Sequence, residues 1–427
     1  MYRASIRATK SINMSKNVAI DLGSSSARVI LIDNTDSARY KEVARFPHEA
    51  CLIGNSYKWD IDGLFSKIIG VIDELIDKES LSKIGICSWG VDYAVVSEKG
   101  LDVPFSYRDD RTSAPFEAFH NKISKLDYFK RTGIYPSQIN TIYQLLSDDK
   151  SRYDNAKGIV MMADSLAYKL TGSIAIERSN ASTTGLLTAD GKDWDYELID
   201  SLNINRNLFP KIIDAGEMYG EYRGVKVVAC LTHDTASALY SMPLNERSAF
   251  LSSGSWLLFG RITEASILNE QAYNIGFTNE KGFGNQNTLL RNINGLFVIQ
   301  RLQKELNVTY QEIDREMPLA NVLGIVNTDL LLHPYGMVEA VKKELKVLNA
   351  GPFDIIKSVY YSLAYKIKEA KKELQELTGE IIDNIVITGG ATRAPYFIET
   401  LREMVDAEII ISDSEGAIAG IDKCLRD

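Results

Sequence analysis

The sequence predicts a two-domain α/β protein, and three observations carry that expectation. At 427 residues the chain is too long for one ordinary hydrophobic core. A β-branched run, Val225, Val227 and Val228, leads through Asp234 into the small-residue segment Thr235-Ala236-Ser237-Ala238, so a strand meets a helix just past the midpoint. Two strand-turn-strand units with Gly/Ser tips, at 18–33 and 247–261, place one such hairpin in each half.

Asp234 sits at the strand-to-helix corner. Ligands of open α/β sheets collect beyond the carboxyl ends of strands, so a carboxylate there can meet a substrate hydroxyl. The commoner use of such a position is an N-cap, with Asp234 or Thr232 accepting backbone N–H bonds, and this stretch alone leaves both readings open.

Composition narrows the field. Hydrophobic residues make up 45% and charged residues 25% of the chain, a globular balance. The net charge of −9 offers no overall attraction to nucleic acid or to an anionic membrane. No run is apolar enough to span a bilayer. Cys51, Cys87, Cys230 and Cys424 show neither metal-ligand spacing nor a disulfide framework, which fits a reducing, cytoplasmic setting. His48, His120, His233 and His333 are too dispersed to form a metal cluster. Residues 1–16 are basic without an apolar core and read as a disordered leader or an upstream translation start.

In chain order, the first hairpin turns at Gly23-Ser24-Ser25-Ser26. Such a tip offers backbone N–H groups and hydroxyls to phosphate oxygens, with Asp21 placed to hold Mg²⁺ and Arg28 nearby; the bland reading is an ordinary Gly/Ser turn. Trp59-Asp60-Ile61-Asp62 opens a helix through Asp77 with Leu64, Ile68, Ile72, Leu75 and Ile76 at helical spacing. The stretch 84–96 reads as strand, Trp89-Gly90-Val91-Asp92 corner, strand. An aromatic ring with a carboxylate at a tight turn suits a sugar, although a Trp is more often simply core. The loop 107–112, rich in Arg and Asp, reads as a solvated cluster or a polar wall for a polyol. Helices are expected from Asn140 to Leu145 and from Met162 to Leu170.

In the second half, Leu251-Ser252-Ser253-Gly254-Ser255-Trp256 echoes the first tip, as if two related domains faced one nucleotide. Leu289 to Arg301 reads as a helix with Leu296, Ile299 and Leu302 inward and Asn292 and Gln300 polar. A long amphipathic helix is expected over 352–377. Residues 385–395 read as a strand entering Gly389-Gly390 at a helix start, where glycine lets backbone approach a flat base or ribose. A strand at 408–411 and a helix at 414–424 close the chain.

These pieces together resemble the FGGY carbohydrate kinases. The matching motifs are AIDLGSSSAR, WGVDYAVV, YRDDRT, NTIYQLL, ADSLAYKLTG, ASTTGLL, THDTASA, LSSGSW, FTNEKGFG with LLRNINGLFVIQ, and VITGGA, in the family's order from about Asn17 to the end. The resemblance implies a two-domain actin-like ATPase fold, ribonuclease H-like, with a catalytic cleft between domains 17–243 and 244–427. It implies Asp234 as general base, Asp21 at Mg²⁺, and Ser24, Ser25, Ser26, Arg28, Ser255, Gln300, Gly389 and Gly390 on the ATP side. Trp89, Gly90, Asp92, His233, Thr235 and Asn292 would lie near the sugar. Ala27, Ala391 and Ser255 depart from the family's usual Gly, Gly and Thr. The implied reaction is ATP-dependent phosphorylation of a ketose, resembling the L-rhamnulose branch, by a monomer or homodimer. Alternatives are another ketose (L-fuculose, D-xylulose or L-ribulose) and a non-catalytic nucleotide switch or sugar sensor.

Overall fold

The computed structural model describes residues 16–35, 39–254, 256–331, 336–412 and 415–427. Residues 1–15 of the expected leader, and Ser255, lie outside the described residues. Lys16, counted with that leader, opens the strand Lys16–Leu22.

Two six-stranded sheets organise the chain. In the first, Lys16–Leu22 is antiparallel to Ser26–Ile32, itself antiparallel to Tyr40–Pro47. On the other side Lys16–Leu22 runs parallel to Leu81–Ser88, which runs parallel to Val225–Val228. The second sheet repeats this pattern. Ser248–Ser253 is antiparallel to Trp256–Thr263, itself antiparallel to Asn287–Asn294, and is parallel to Asn384–Gly389, which is parallel to Glu408–Ile411. Five strands therefore correspond in order and direction. The sixth strands differ: Met218–Tyr222 lies beside Val225–Val228, whereas Thr278–Lys281 lies at the opposite edge, beside Asn287–Asn294. The central strands read as unbroken apolar runs because both their faces are covered: Val18, Ala19, Ile20, Ala249, Phe250 and Leu251 are all buried.

The helices follow their spacing. Ile61–Lys78 is capped by the Asp60 side chain and buries Leu64, Ile68, Ile72 and Leu75. Pro352–Thr378 buries Ile356, Val359, Leu363, Ile367, Ala370 and Leu374, and ends at Gly379, whose φ of 72° suits a residue without Cβ. Each sheet has its own apolar core, and a small cluster of Leu239, Met242, Phe250, Leu290 and Val386 joins the halves.

One expected helix, Leu289 to Arg301, is strand in its first half. Residues Asn287–Asn294 pair on both edges, and the helix begins only at Leu296, after Gly295 breaks the backbone at φ −119°, ψ −111°. A short apolar run carries no periodicity that separates buried strand from buried helix, so the pairing partners decide. The closing helix, Ala417–Arg426, returns to the first half, where Ile418, Ile421, Cys424 and Leu425 pack with Ala19, Cys87 and Val228. The strands of the first sheet all precede residue 243 and those of the second all follow residue 244, but this helix crosses that division. Among the described residues, no helix is long and apolar enough to cross a membrane.

Candidate active site

The Asp234 corner forms because Leu81–Ser88 continues alongside the segment after Val228. The Ser88 N–H donates to the Thr232 carbonyl at 2.8 Å, and Ser88 bridges His233 in parallel register. The helix Asp234–Ser241 starts immediately after, and its small residues allow close packing: a Cβ on Gly420 of the closing helix would fall 1.8 Å from the Ser237 carbonyl. The N-cap reading of this stretch is overturned. His233 occupies the cap position without a side-chain cap bond, Thr232 gives its N–H and hydroxyl to the Glu177 carboxylate, and the Asp234 carboxylate accepts from the Thr235 hydroxyl at 3.2 Å.

The Asp234 carboxylate is reached by solvent. The side chain is 37% exposed, yet protein surrounds it closely enough that burial raises its pKa, against the lowering effect of His233; Asp21 raises it further. His233 is buried between carboxylates, with Nε2 3.6 Å from Asp234 and Nδ1 3.3 Å from Glu280. Burial alone would lower its pKa, but Glu280, Asp234 and Glu177 together raise it to about 9.

The first tip is built as expected, with strands paired up to Leu22 and Ala27 and the turn closed by Gly23 N–H to the Ser26 carbonyl at 3.1 Å. Ser25 is exposed and Ser24 and Ser26 half-buried. Arg28 binds Asp21 through two hydrogen bonds of 2.8 and 3.1 Å, and Glu415 lies 3.7 Å from its guanidinium. Arg28 is thus engaged with the carboxylate expected at the metal rather than held free for phosphate. His48, which sequence reading passed over, meets the Gly23 carbonyl at 2.8 Å and touches the rings of Trp59 and Trp89.

The Trp89 corner is strained. Val91 has φ of 66°, a conformation in which a β-branched residue is a genuine outlier. Thr183 accepts from its N–H, while Thr141 and Gln144 donate to its carbonyl, and these bonds hold it there. Asp92 does not face a ligand, contrary to expectation. It is fully buried, one oxygen accepts from the indoles of Trp59 (2.7 Å) and Trp89 (2.9 Å), and the other from Gln144 (3.0 Å). Burial pushes its pKa up to about 6. Its part is to orient the two indoles. Trp89 is both core, at 7% exposure, and wall of a cavity of about 210 Å³ shared with Trp59, His48, Glu49, Leu64 and Lys67. Asp234 is not part of that wall. In the loop 107–112, Asp109 and Arg111 are neither solvated nor a free wall: Asp109 accepts from the Tyr57 N–H, and Arg111 bonds the Gln144 carbonyl.

In the second half, Ser253 pairs with Gly389, and a Cβ on Gly389 would fall 2.3 Å from the Ser253 carbonyl at φ 90°, so only glycine fits. Gly390 packs on Leu296, the first residue of the helix carrying Gln300, which brings the expected nucleotide-side residues Gly389, Gly390 and Gln300 to one neighbourhood. Gln300 is exposed. So is Asn292, which the structure places in mid-strand rather than on a helix. Thr235 is buried beside Asp234, and Gly90 lies against Thr183. Residues missed from sequence are Glu280 and Glu177, each quoted or passed over without a role, and the Trp59–Gln144 pair around Asp92. Their signal lies in long-range contacts that no local pattern carries. Among the described residues no group of three or more His, Cys, Asp or Glu is arranged to hold a metal ion.

A model described as the N-terminal domain of the FGGY family of carbohydrate kinases matches residues 17–232. A rhamnulokinase from Oceanobacillus iheyensis is 31% identical over 431 residues, covering 95% of this chain and 91% of that protein. One from Pectobacterium carotovorum is 31% identical and covers 94% and 86%. Among solved structures, Plasmodium falciparum glycerol kinase with ADP has a TM-score of 0.80 at 18% identity, covering 97% of this chain and 90% of that one. A ligand-bound xylulose kinase from Lactobacillus acidophilus has a TM-score of 0.78 at 14% identity, covering 96% and 89%. At such identities the likeness concerns the fold alone, and that fold is the two-domain actin-like ATPase arrangement.

Proposed function

The chain belongs to the FGGY family of carbohydrate kinases and is an ATP-dependent sugar kinase; on that premise we propose that it phosphorylates a ketose of the L-rhamnulose type at its terminal C1 hydroxyl, with Asp234 as general base. The observation that carries this reading is the Asp234 corner: a solvent-reachable carboxylate where a strand segment turns into a helix, held by its neighbour Thr235 and 3.6 Å from His233, whose pKa the surrounding carboxylates raise.

Phosphoryl transfer asks mainly for in-line placement and neutralisation of charge. Asp234 would orient the attacking hydroxyl and take its proton as the bond to phosphorus forms. His233 lowers the Asp234 pKa against the burial and the Asp21 charge that raise it. The indoles of Trp59 and Trp89, fixed by Asp92, offer flat faces for sugar C–H groups. The cavity beside them is below the roughly 300–1,000 Å³ of pockets for drug-sized ligands, a size for a small polyol. Gly389, Gly390 and Gln300 would receive the nucleotide.

The residues present fit a Mg²⁺ that completes its shell with water and phosphate. Such an ion needs only one or two protein carboxylates, and Asp21 is a half-buried oxygen donor beside a hydroxyl-rich tip. When bound it would neutralise charge on the phosphates.

The test is ADP release coupled to a panel of ketoses, L-rhamnulose, L-fuculose, D-xylulose and L-ribulose among them. L-rhamnulose should give the largest kcat/KM. Absence of ketose-stimulated ADP release would remove the proposal in favour of a nucleotide switch.

A further inference from the structure

We propose that Glu280, on the edge strand of the second sheet, is a positioning residue for this reaction: it anchors the His233 imidazole beside the Asp234 carboxylate.

The geometry is a row of three groups drawn from both halves. Asp234 Oδ1 lies 3.6 Å from His233 Nε2, and His233 Nδ1 lies 3.3 Å from Glu280 Oε2. Glu280 is itself shielded, its side chain 15% exposed. The strand that carries it, Thr278–Lys281, belongs to the second sheet yet is bonded to the first half on both sides of Glu280. The Asn279 N–H donates to the Gly133 carbonyl at 2.9 Å, and the Lys281 N–H to the Ser182 hydroxyl at 3.0 Å. The Thr278 hydroxyl accepts from the Tyr135 N–H at 3.0 Å. The Asn279 side chain also donates to the Gly133 carbonyl at 3.0 Å, so Glu280 is delivered to His233 by bonds that cross between the halves.

Without Glu280, His233 Nδ1 would have no opposing charge at ion-pair distance; even now it is buried and at a distance from Glu280 that is not aligned as a hydrogen bond. The charged groups facing the imidazole are Glu280 from the edge strand, Asp234 from its own helix and Glu177 from the segment beneath Thr232. Its own N–H backbone is held by the Ser179 hydroxyl at 3.1 Å, so the main chain is fixed and the ring is what Glu280 controls. A buried imidazole keeps its proton only where carboxylates compensate its lost hydration. Glu280 is the first among these by charge and the one that comes from the other half, so the surroundings of Asp234 are complete only when the edge strand is docked.

This inference rests on the role proposed for Asp234, and the experiment separates the two. The His233 ring resonance is followed by NMR across pH in the full chain, assigned by its loss in His233→Asn, and kcat and KM are measured alongside. In Glu280→Gln the His233 midpoint should fall by about one pH unit or more from its value near 9. The same variant should lose roughly 10–100-fold in kcat, as when a carboxylate that orients a working histidine is removed, with the KM for nucleotide unchanged. Glu280→Asp, which keeps the charge, should recover part of both. An unshifted midpoint, or an unchanged kcat in Glu280→Gln with the wild-type chain active, overturns the inference. A wild-type chain inactive on every ketose removes the proposed function instead, and the midpoint alone then decides: a shift keeps Glu280 as the anchor of His233, and no shift removes it.

Discussion

The two sheets end their central parallel strands at the same point and then fill that point differently. In the first, pairing stops at Leu22 with Ser88 and the chain continues as Trp89-Gly90-Val91-Asp92; in the second it stops at Ser253 with Gly389 and continues as Gly389-Gly390-Ala391-Thr392. Both corners store an unusual backbone, Val91 at φ 66° and Gly389 at φ 90°. The first surrounds it with indoles and a buried carboxylate, the second with Ser253 and, beside Gly390, Leu296. A shared strand pattern sets where a corner stands, and side-chain size then decides what it offers: ring faces in one half, which the proposed function gives to a small polyol, and bare backbone in the other, which it gives to a flat base.

Four substitutions test that division, from the largest effect down. Asp234→Asn should lower kcat by roughly 10²–10⁴ while the dissociation constant for ADP stays the same, since the proposed base stands in the first half and the proposed nucleotide residues Gly389, Gly390 and Gln300 in the second; calorimetry with ADP beside steady-state kinetics reads both. Full activity in this variant would end the assignment of the base.

Asp92→Asn should flatten the pH dependence of stability between about pH 4 and 6. Burial raises the Asp92 pKa in the folded chain to about 6, above its unfolded value, so the folded state binds the proton more tightly. The resulting stability is fully present below the unfolded pKa and is lost as pH rises through 6, up to about 3 kcal/mol. Denaturant midpoints across that range should fall more steeply in the wild type than in the variant.

Gly389→Ala should weaken nucleotide binding about tenfold, or roughly 1.4 kcal/mol, with ketose KM little changed, because the new methyl meets the Ser253 carbonyl. Equal damage to both substrates would mean that the two corners are not separate in function. The smallest effect belongs to Val91→Gly. Relief of the left-handed strain should raise Tm by roughly 1–2 °C, and a simultaneous rise in ketose KM would show that the strain holds the Trp89 corner in its working shape.

Much of the fold was legible before any coordinates. Apolar runs at 18–22, 225–228 and 249–251 became sheet strands, the first Gly/Ser tip became a hairpin turn, the strands flanking the second pair antiparallel, and the spacing from Ile356 to Leu374 became one buried helical face. The corner carrying Asp234 was legible for the same reason, since a β-branched run followed by small residues has few local alternatives. Asn292 was placed on the wrong element because Leu289 to Asn294 is apolar enough for either structure, and only its pairing with two neighbouring strands decides.

What the amino-acid order determined by itself, then, is local: which stretches are strands or helices, where the tips and corners fall, and which residue types stand there. The tertiary structure alone decided the partners. It turned Asp92 inward to two indoles, engaged Arg28 with Asp21, sent the last helix back to the first sheet and brought Glu280 to His233. Periodicity and propensity act over a few residues, whereas the choice of partner for a buried charge is made by whichever distant segment the packing delivers.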